Sequence, residues 1–139
     1  CTAVATDEIV LAVPGNHAFA SRKEVTLPDL KGVRIIEREG GSGTWMTVQD
    51  ELERLGLRIP PYDSSMVLGS TQAIVSAVDA GLGVGFVTRR ALERHDSSRV
   101  AEIRLAEASF TRNLYMVHER GRPLPRIVRS FRDHVLEAQ

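Results

Sequence analysis

The segment best suited to binding chemistry in this 139-residue chain is Arg38-Glu-Gly-Gly-Ser-Gly-Thr44. A β-branched run, Val33-Arg-Ile-Ile-Glu37, precedes it. Trp45, Val48, Leu52 and Leu55 follow at helical spacing. The turn therefore lies where a strand ends and a helix begins. First-turn amides of a helix lack intrahelical acceptors and carry the positive end of the helix dipole. Glycines let a ligand approach the backbone, and Ser42 and Thr44 add hydroxyl donors. Such a turn suits a carboxylate, a sulfate-like group or a phosphate. The same Ser42 or Thr44 would equally cap the helix, and the turn alone does not separate the two roles. Leu68-Gly-Ser-Thr71 repeats the design, and there an ordinary cap by Ser70 or Thr71 is the simpler reading.

Other motifs point away from catalysis. Ala80-Gly-Leu-Gly-Val-Gly-Phe-Val87 carries glycines at alternate positions and leads into a strand, whereas a dinucleotide fingerprint follows a strand and opens a helix. His17, His95, His118 and His134 are scattered, without metal-ligand spacing. His118-Glu119 runs into Arg-Gly-Arg, so it is no zinc-protease helix. There is no nucleophile elbow, and Cys1 is terminal. The arginines from Arg112 to Arg132 read as the solvated face of a terminal helix, with a partner surface as the alternative. The expectation is a non-enzyme without a cofactor.

The elements that must position these residues follow from periodicity and punctuation. Glu8–Pro14 reads as a buried strand, Asn16–Ser21 as a loop, and Val25–Gly32 as extended chain running into one helical turn at Pro28. The helix after Thr44 closes at Gly56. Ser65–Leu68 is a strand, and the helix after it buries Ile74, Val75, Val78 and Leu82 before Gly81 and Gly83 end it. Val84–Thr88 is a strand whose Gly85 marks a close approach to the backbone. Arg89–His95 reads as a short helix, Val100–Leu105 as a half-exposed strand, and Asn113–His118 as a closing strand. Leu124–Ala138 reads as a helix with Ile127, Val128, Phe131 and Val135 on one face. This alternation predicts an α/β fold with a mainly parallel sheet, helices on both faces, and ligands at the carboxyl ends of the strands.

Composition agrees with one ordinary domain, with 42% hydrophobic and 26% charged residues. Lys plus Arg equals Asp plus Glu at 18 each, so the basic excess of a nucleic-acid-gripping domain is missing. The single cysteine permits no internal disulfide and fits a cytoplasmic origin. No apolar run nears the roughly 20 residues that span a bilayer. The first residue is not Met, and the chain reads as a fragment of something longer.

Taken in order, these segments resemble LysR-type transcriptional regulators. Asp7-Glu-Ile-Val-Leu-Ala-Val-Pro-Gly-Asn-His-Ala-Phe-Ala20 is similar to the family's strand ending in Val-Pro and its His-Pro-Leu-Ala loop, with Ala18 and Phe19 in place of the usual residues. Val25-Thr-Leu-Pro-Asp-Leu30 is similar to the segment leading into the second subdomain. Ile36–Thr44 resembles the Gly-Ser-Gly-Thr form of members that sense small anions or acidic metabolites. Gly69–Val87 is the most specific match. The resemblance implies a periplasmic-binding-protein-like α/β fold. Residues 22–112 would be the complete second effector subdomain, and residues 1–21 and 113–139 a remnant of the first.

It also implies roles. Ser42, Gly43 and Thr44 would hold an anionic group, Ser70 and Thr71 would line the same cleft, and Gly85, Phe86 and Thr88 would form its floor near the hinge. The implied partners are a small anionic or carboxylate effector and further copies of the chain, forming a homo-oligomer through the terminal segments. DNA would be bound only through a helix-turn-helix domain outside this chain, and no membrane is expected. A solute-binding protein shares the architecture and is the first rival. The second is an enzyme of the same two-domain plan, which would need a positioned acid, base or nucleophile.

Overall fold

The computed structural model describes residues 1–138. In chain order the elements are β1 (Thr2–Pro14), β2 (Glu24–Val25), a 3-10 turn at Leu27–Leu30, β3 (Glu37–Arg38), α1 (Gly43–Arg54), β4 (Val67–Leu68), α2 (Thr71–Asp79) and β5 (Gly85–Thr88). A 3-10 turn at Arg89–Ala91, β6 (Val100–Leu105), β7 (Phe110–Met116) and α3 (Arg126–Glu137) follow. The chain divides into two compact units, Glu8–Thr111 and Cys1–Asp7 with Arg112–Gln139. Ile9–Pro14, read from sequence with the remnant, pair with β5 and β6 inside the larger unit.

In the larger unit β3 and β4 pair in parallel, Glu37 with Val67 and Arg38 with Leu68. A parallel bridge between Ile35 and Val84 joins them to β5. β1 then pairs antiparallel with both β5 and β6, and β2 runs parallel to β6. The expected mainly parallel sheet is therefore a mixed one. The alternation rule orients only strands joined by helical crossovers, here β3, β4 and β5 through α1 and α2. β1 precedes every crossover, so that rule leaves its direction open.

Helices do cover both faces. Ile9, Leu11 and Val13 of β1 pack in one core with Trp45, Val48 and Leu52 of α1, while Val10 and Ala12 pack in another with Ile74, Val75 and Val78 of α2. A strand buried on both sides needs apolar residues at every position, which accounts for the unbroken run Ile9–Val13. α1 ends at Gly56 (φ 69°), where the Leu57 amide donates to the Leu52 carbonyl at 2.8 Å. Leu55, expected on the buried stripe, is the cap residue and is exposed. Leu82 is likewise exposed, because left-handed Gly81 (φ 79°) turns the chain away first, and Ala77 takes its place on the buried face. Of the expected helix at Arg89–His95, only Arg89–Ala91 forms a 3-10 turn.

In the smaller unit the Arg112 guanidinium donates through Nε and Nη2 to Asp7 Oδ2, at 3.1 and 2.9 Å. Asp7 is 4% exposed. α3 buries none of its residues, and Ile127, Val128 and Phe131 are exposed.

Candidate functional site

Because β3 and β4 are parallel and in register, the chain leaves both at the same end of the sheet. It enters α1 after Ser42 and α2 after Ser70, so two helix N-termini open side by side at those carboxyl ends. β5, parallel to the chain just ahead of β3, ends at the same side with Thr88. The alternating strand–helix order thus produces the expected location.

Ser42 is the N-cap of α1 in extended backbone, and its Oγ accepts from the Trp45 amide at a long 3.4 Å. The residue is only 4% exposed, and its hydroxyl proton has no acceptor among the described residues. Thr44 is 5% exposed, and its hydroxyl makes no hydrogen bond to any described residue. Its oxygen is not sealed off, since no buried polar side-chain atom lacks a partner. Gly43 is exposed. At the first two positions of α1, the amides of Gly43 and Thr44 have no acceptor in the preceding turn. At α2, Ser70 caps by accepting from the Ala73 amide at 3.1 Å. Capping and ligand binding are compatible at both turns, since each cap occupies one amide and leaves the two before it open. Side chains added at Gly40, Gly41 or Gly69 would meet no atom within 4 Å, so the backbone there is approachable.

Thr71 brings in a residue that sequence reasoning missed. Its Oγ1 accepts from Arg38 Nη1 at 3.1 Å, at the N-terminus of α2. The remaining edge of the guanidinium holds both carboxylate oxygens of Glu39, with Nε at 2.9 Å and Nη2 at 3.0 Å. The Arg38 side chain is 15% exposed, and that of Glu39 is 47% exposed. The Arg38 fork keeps the Glu39 carboxyl below its ordinary range. The available signal was position alone, an arginine ending a strand just ahead of the glycine turn.

Gly85 and Phe86 depart from their expected place on a ligand floor. A Cβ on Gly85 would lie 2.5 Å from Ile74 Cγ2, so the close approach marked by this glycine is that of α2. Phe86 is buried between Trp45 and Phe110, at ring-centroid distances of 6.1 and 5.7 Å. Both belong to the core. Thr88 is half-buried at the end of β5. A separate cavity of about 540 Å³ is lined by Trp45, Gln49, Leu52, Arg58, Ile59 and Tyr62, and none of the expected ligand residues lines it. At its edge the Tyr62 hydroxyl donates to Glu37, and burial first, then this carboxylate, raises the phenol well above its ordinary range.

Comparison with known proteins gives a consistent result. The profile of the LysR substrate binding domain matches residues 1–139. An HTH-type transcriptional regulator of Methanocaldococcus jannaschii is 33% identical over 135 residues, which is 96% of this chain and 46% of that protein. The chain therefore spans about half the length of this curated relative. The Synechocystis PCC6803 CcmR regulatory domain, solved in complex with 2-PG, superposes with a TM-score of 0.85 at 23% identity, covering 99% of this chain and 65% of that one. The effector binding domain of QuiR, solved in complex with shikimate, superposes with a TM-score of 0.79 at 18% identity, covering 99% and 63%. These two likenesses establish the fold.

Proposed function

The chain belongs to the LysR substrate-binding domain family, and from that premise we propose that it senses a small anionic effector at the carboxyl ends of β3, β4 and β5. The observation that carries the reading is the Ser42–Thr44 turn. It combines two open amides with two nearly buried hydroxyls whose protons have no described acceptor. No described residue engages these donors, and the Thr44 oxygen keeps some contact with solvent, so a ligand can complete them. A carboxylate, phosphate or sulfate oxygen would accept from all of them, favoured by the dipole of α1. Ser70, Thr71 and Thr88 complete the ligand set, and Gly85 and Phe86 support it from the core. The complexes of CcmR with 2-PG and of QuiR with shikimate support a small effector in a domain of this fold.

In the whole regulator the larger unit would serve as the second effector subdomain, and the chain ends as part of the first. Effector binding would favour one arrangement of a homo-oligomer and so change its grip on DNA, which other segments hold. In this reading the protein works in the cytoplasm and catalyses no reaction. A thermal-melt screen against small carboxylates, phosphate esters, sulfate and uncharged sugars tests the proposal. The expected result is stabilisation by one class of anion, lost in Thr44→Val. Stabilisation by an uncharged sugar while every anion fails would overturn it.

A further inference from the structure

Arg38 ends β3 at the carboxyl ends of the parallel strands, and its guanidinium is already occupied by a carboxylate of its own chain. Its Nη1 is anchored on Thr71 Oγ1 at 3.1 Å, at the first residue of α2. The Nε–Nη2 edge is the one that matches a carboxylate or phosphate bidentately. That edge holds Glu39, at 2.9 and 3.0 Å.

The two partners are held unequally. Arg38 is mostly buried, on a strand, and fixed at a second point by Thr71. Glu39 is about half exposed, and apart from the Arg38 fork its carboxylate is held only by its own backbone amide. It precedes Gly40 and Gly41, the latter in left-handed backbone (φ 99°), with open space around both. The carboxylate can therefore swing into solvent while the guanidinium stays in place. An ion pair with one exposed partner contributes little stability and is readily exchanged.

We propose that Glu39 is a built-in surrogate anion that holds Arg38 until the anionic group of an effector displaces it. This rests on the anion-sensing reading above and adds a selection rule. Only an oxyanion able to take the Nε–Nη2 fork bidentately, such as a carboxylate, phosphate or sulfate, competes with Glu39. A spherical halide does not. Arg38 thereby becomes a specificity-determining residue, and Glu39 sets the effector concentration at which the site fills. If the exposed pair is closed for most of the time, apparent affinity is reduced by the fraction of open Arg38, a factor of about two to five.

The test is NMR titration of the isotopically labelled chain with sodium sulfate against sodium chloride at constant ionic strength. The readouts are the Arg38 Nε–H signal and the amides of Gly43, Thr44, Thr71 and Gln72. Sulfate should move these signals where chloride does not, and Glu39→Gln should tighten sulfate binding about two- to fivefold. Arg38→Met should abolish the response while signals from the β1 core stay in place. Glu53→Gln removes the same charge from α1, away from the fork, and should leave the affinity unchanged. Equal sulfate affinity in the wild type and Glu39→Gln would overturn the surrogate while leaving the anion site standing. A gain in Glu53→Gln as large as that in Glu39→Gln would reduce the effect to overall charge and overturn it too. No sulfate response in any form would overturn both this inference and the anion-sensing reading.

Discussion

Thr44→Val separates binding from stability at a single atom. Valine keeps the shape and β-branching of threonine at the second position of α1, so helix propensity and packing barely change. What goes is a hydroxyl on a residue only 5% exposed, with no hydrogen bond to a described residue. A fully buried unsatisfied hydroxyl costs about 1–3 kcal/mol. This oxygen keeps some contact with solvent, so the low end applies, and the variant should gain about 0.5–1 kcal/mol of stability. If the hydroxyl donates to an anionic effector, affinity should instead fall by about 1.5–3 kcal/mol, roughly ten- to a hundredfold. The two effects have opposite signs. Ser42→Ala gives the contrast. It removes the 3.4 Å cap to the Trp45 amide, so stability should fall by about 0.5–1 kcal/mol, and affinity should fall as well. Urea denaturation and calorimetry with the effector from the thermal screen read both quantities. A Thr44→Val protein that loses more than about 1 kcal/mol of stability would show that the hydroxyl has a structural partner. An unchanged dissociation constant would show that it has no ligand.

Three further outcomes follow from the packing and electrostatics. Arg112→Met removes two hydrogen bonds from the 4%-exposed Asp7 carboxylate and should lower stability by about 1.5–3 kcal/mol in urea denaturation; a loss within experimental error would mean that the pair contributes nothing to the fold. Gly85→Ala places a Cβ 2.5 Å from Ile74 Cγ2 and should cost about 1–3 kcal/mol. Combined with Ile74→Ala it should cost clearly less than the sum of the two single changes, and strict additivity would refute the contact. The Ser65 hydroxyl and amide together with Arg34 lower the Asp63 carboxyl from 3.8 to about 2, so its folded pKa lies below its unfolded one. The stabilisation is then fully present above 3.8 and is lost as pH falls through about 2. A carbonyl-detected NMR titration should find the midpoint near 2, and one at 3.8 would refute the arrangement.

Local chemistry was legible in the sequence. Ser42 and Ser70 cap α1 and α2, and Gly56 and Gly81 stop them, because caps and left-handed turns are decided within a few residues. Trp45, Val48 and Leu52, and Ile74, Val75 and Val78, are buried as their spacing requires. The strand–helix alternation put the candidate site at the carboxyl ends. The Ser42–Thr44 turn was legible as a helix start with open amides and hydroxyls, because glycines, hydroxyls and the helix start are all contiguous.

Tertiary structure decided what depends on residues far apart in the chain. The direction of β1 is set by its pairing with β5 and β6, more than seventy positions away, and no local pattern encodes it. Leu55 and Leu82 fit the stripes but fall just outside the helices, where the backbone turns before their side chains can reach the core. Gly85 announced a close approach, but only packing named Ile74 rather than a ligand as the approaching group. Arg38 and Thr71 lie 33 residues apart and meet because β3 and β4 pair in parallel. Spacing along a chain specifies which face of an element is apolar, whereas the meeting of two polar side chains depends on register and strand order, which are settled only when the whole sheet assembles.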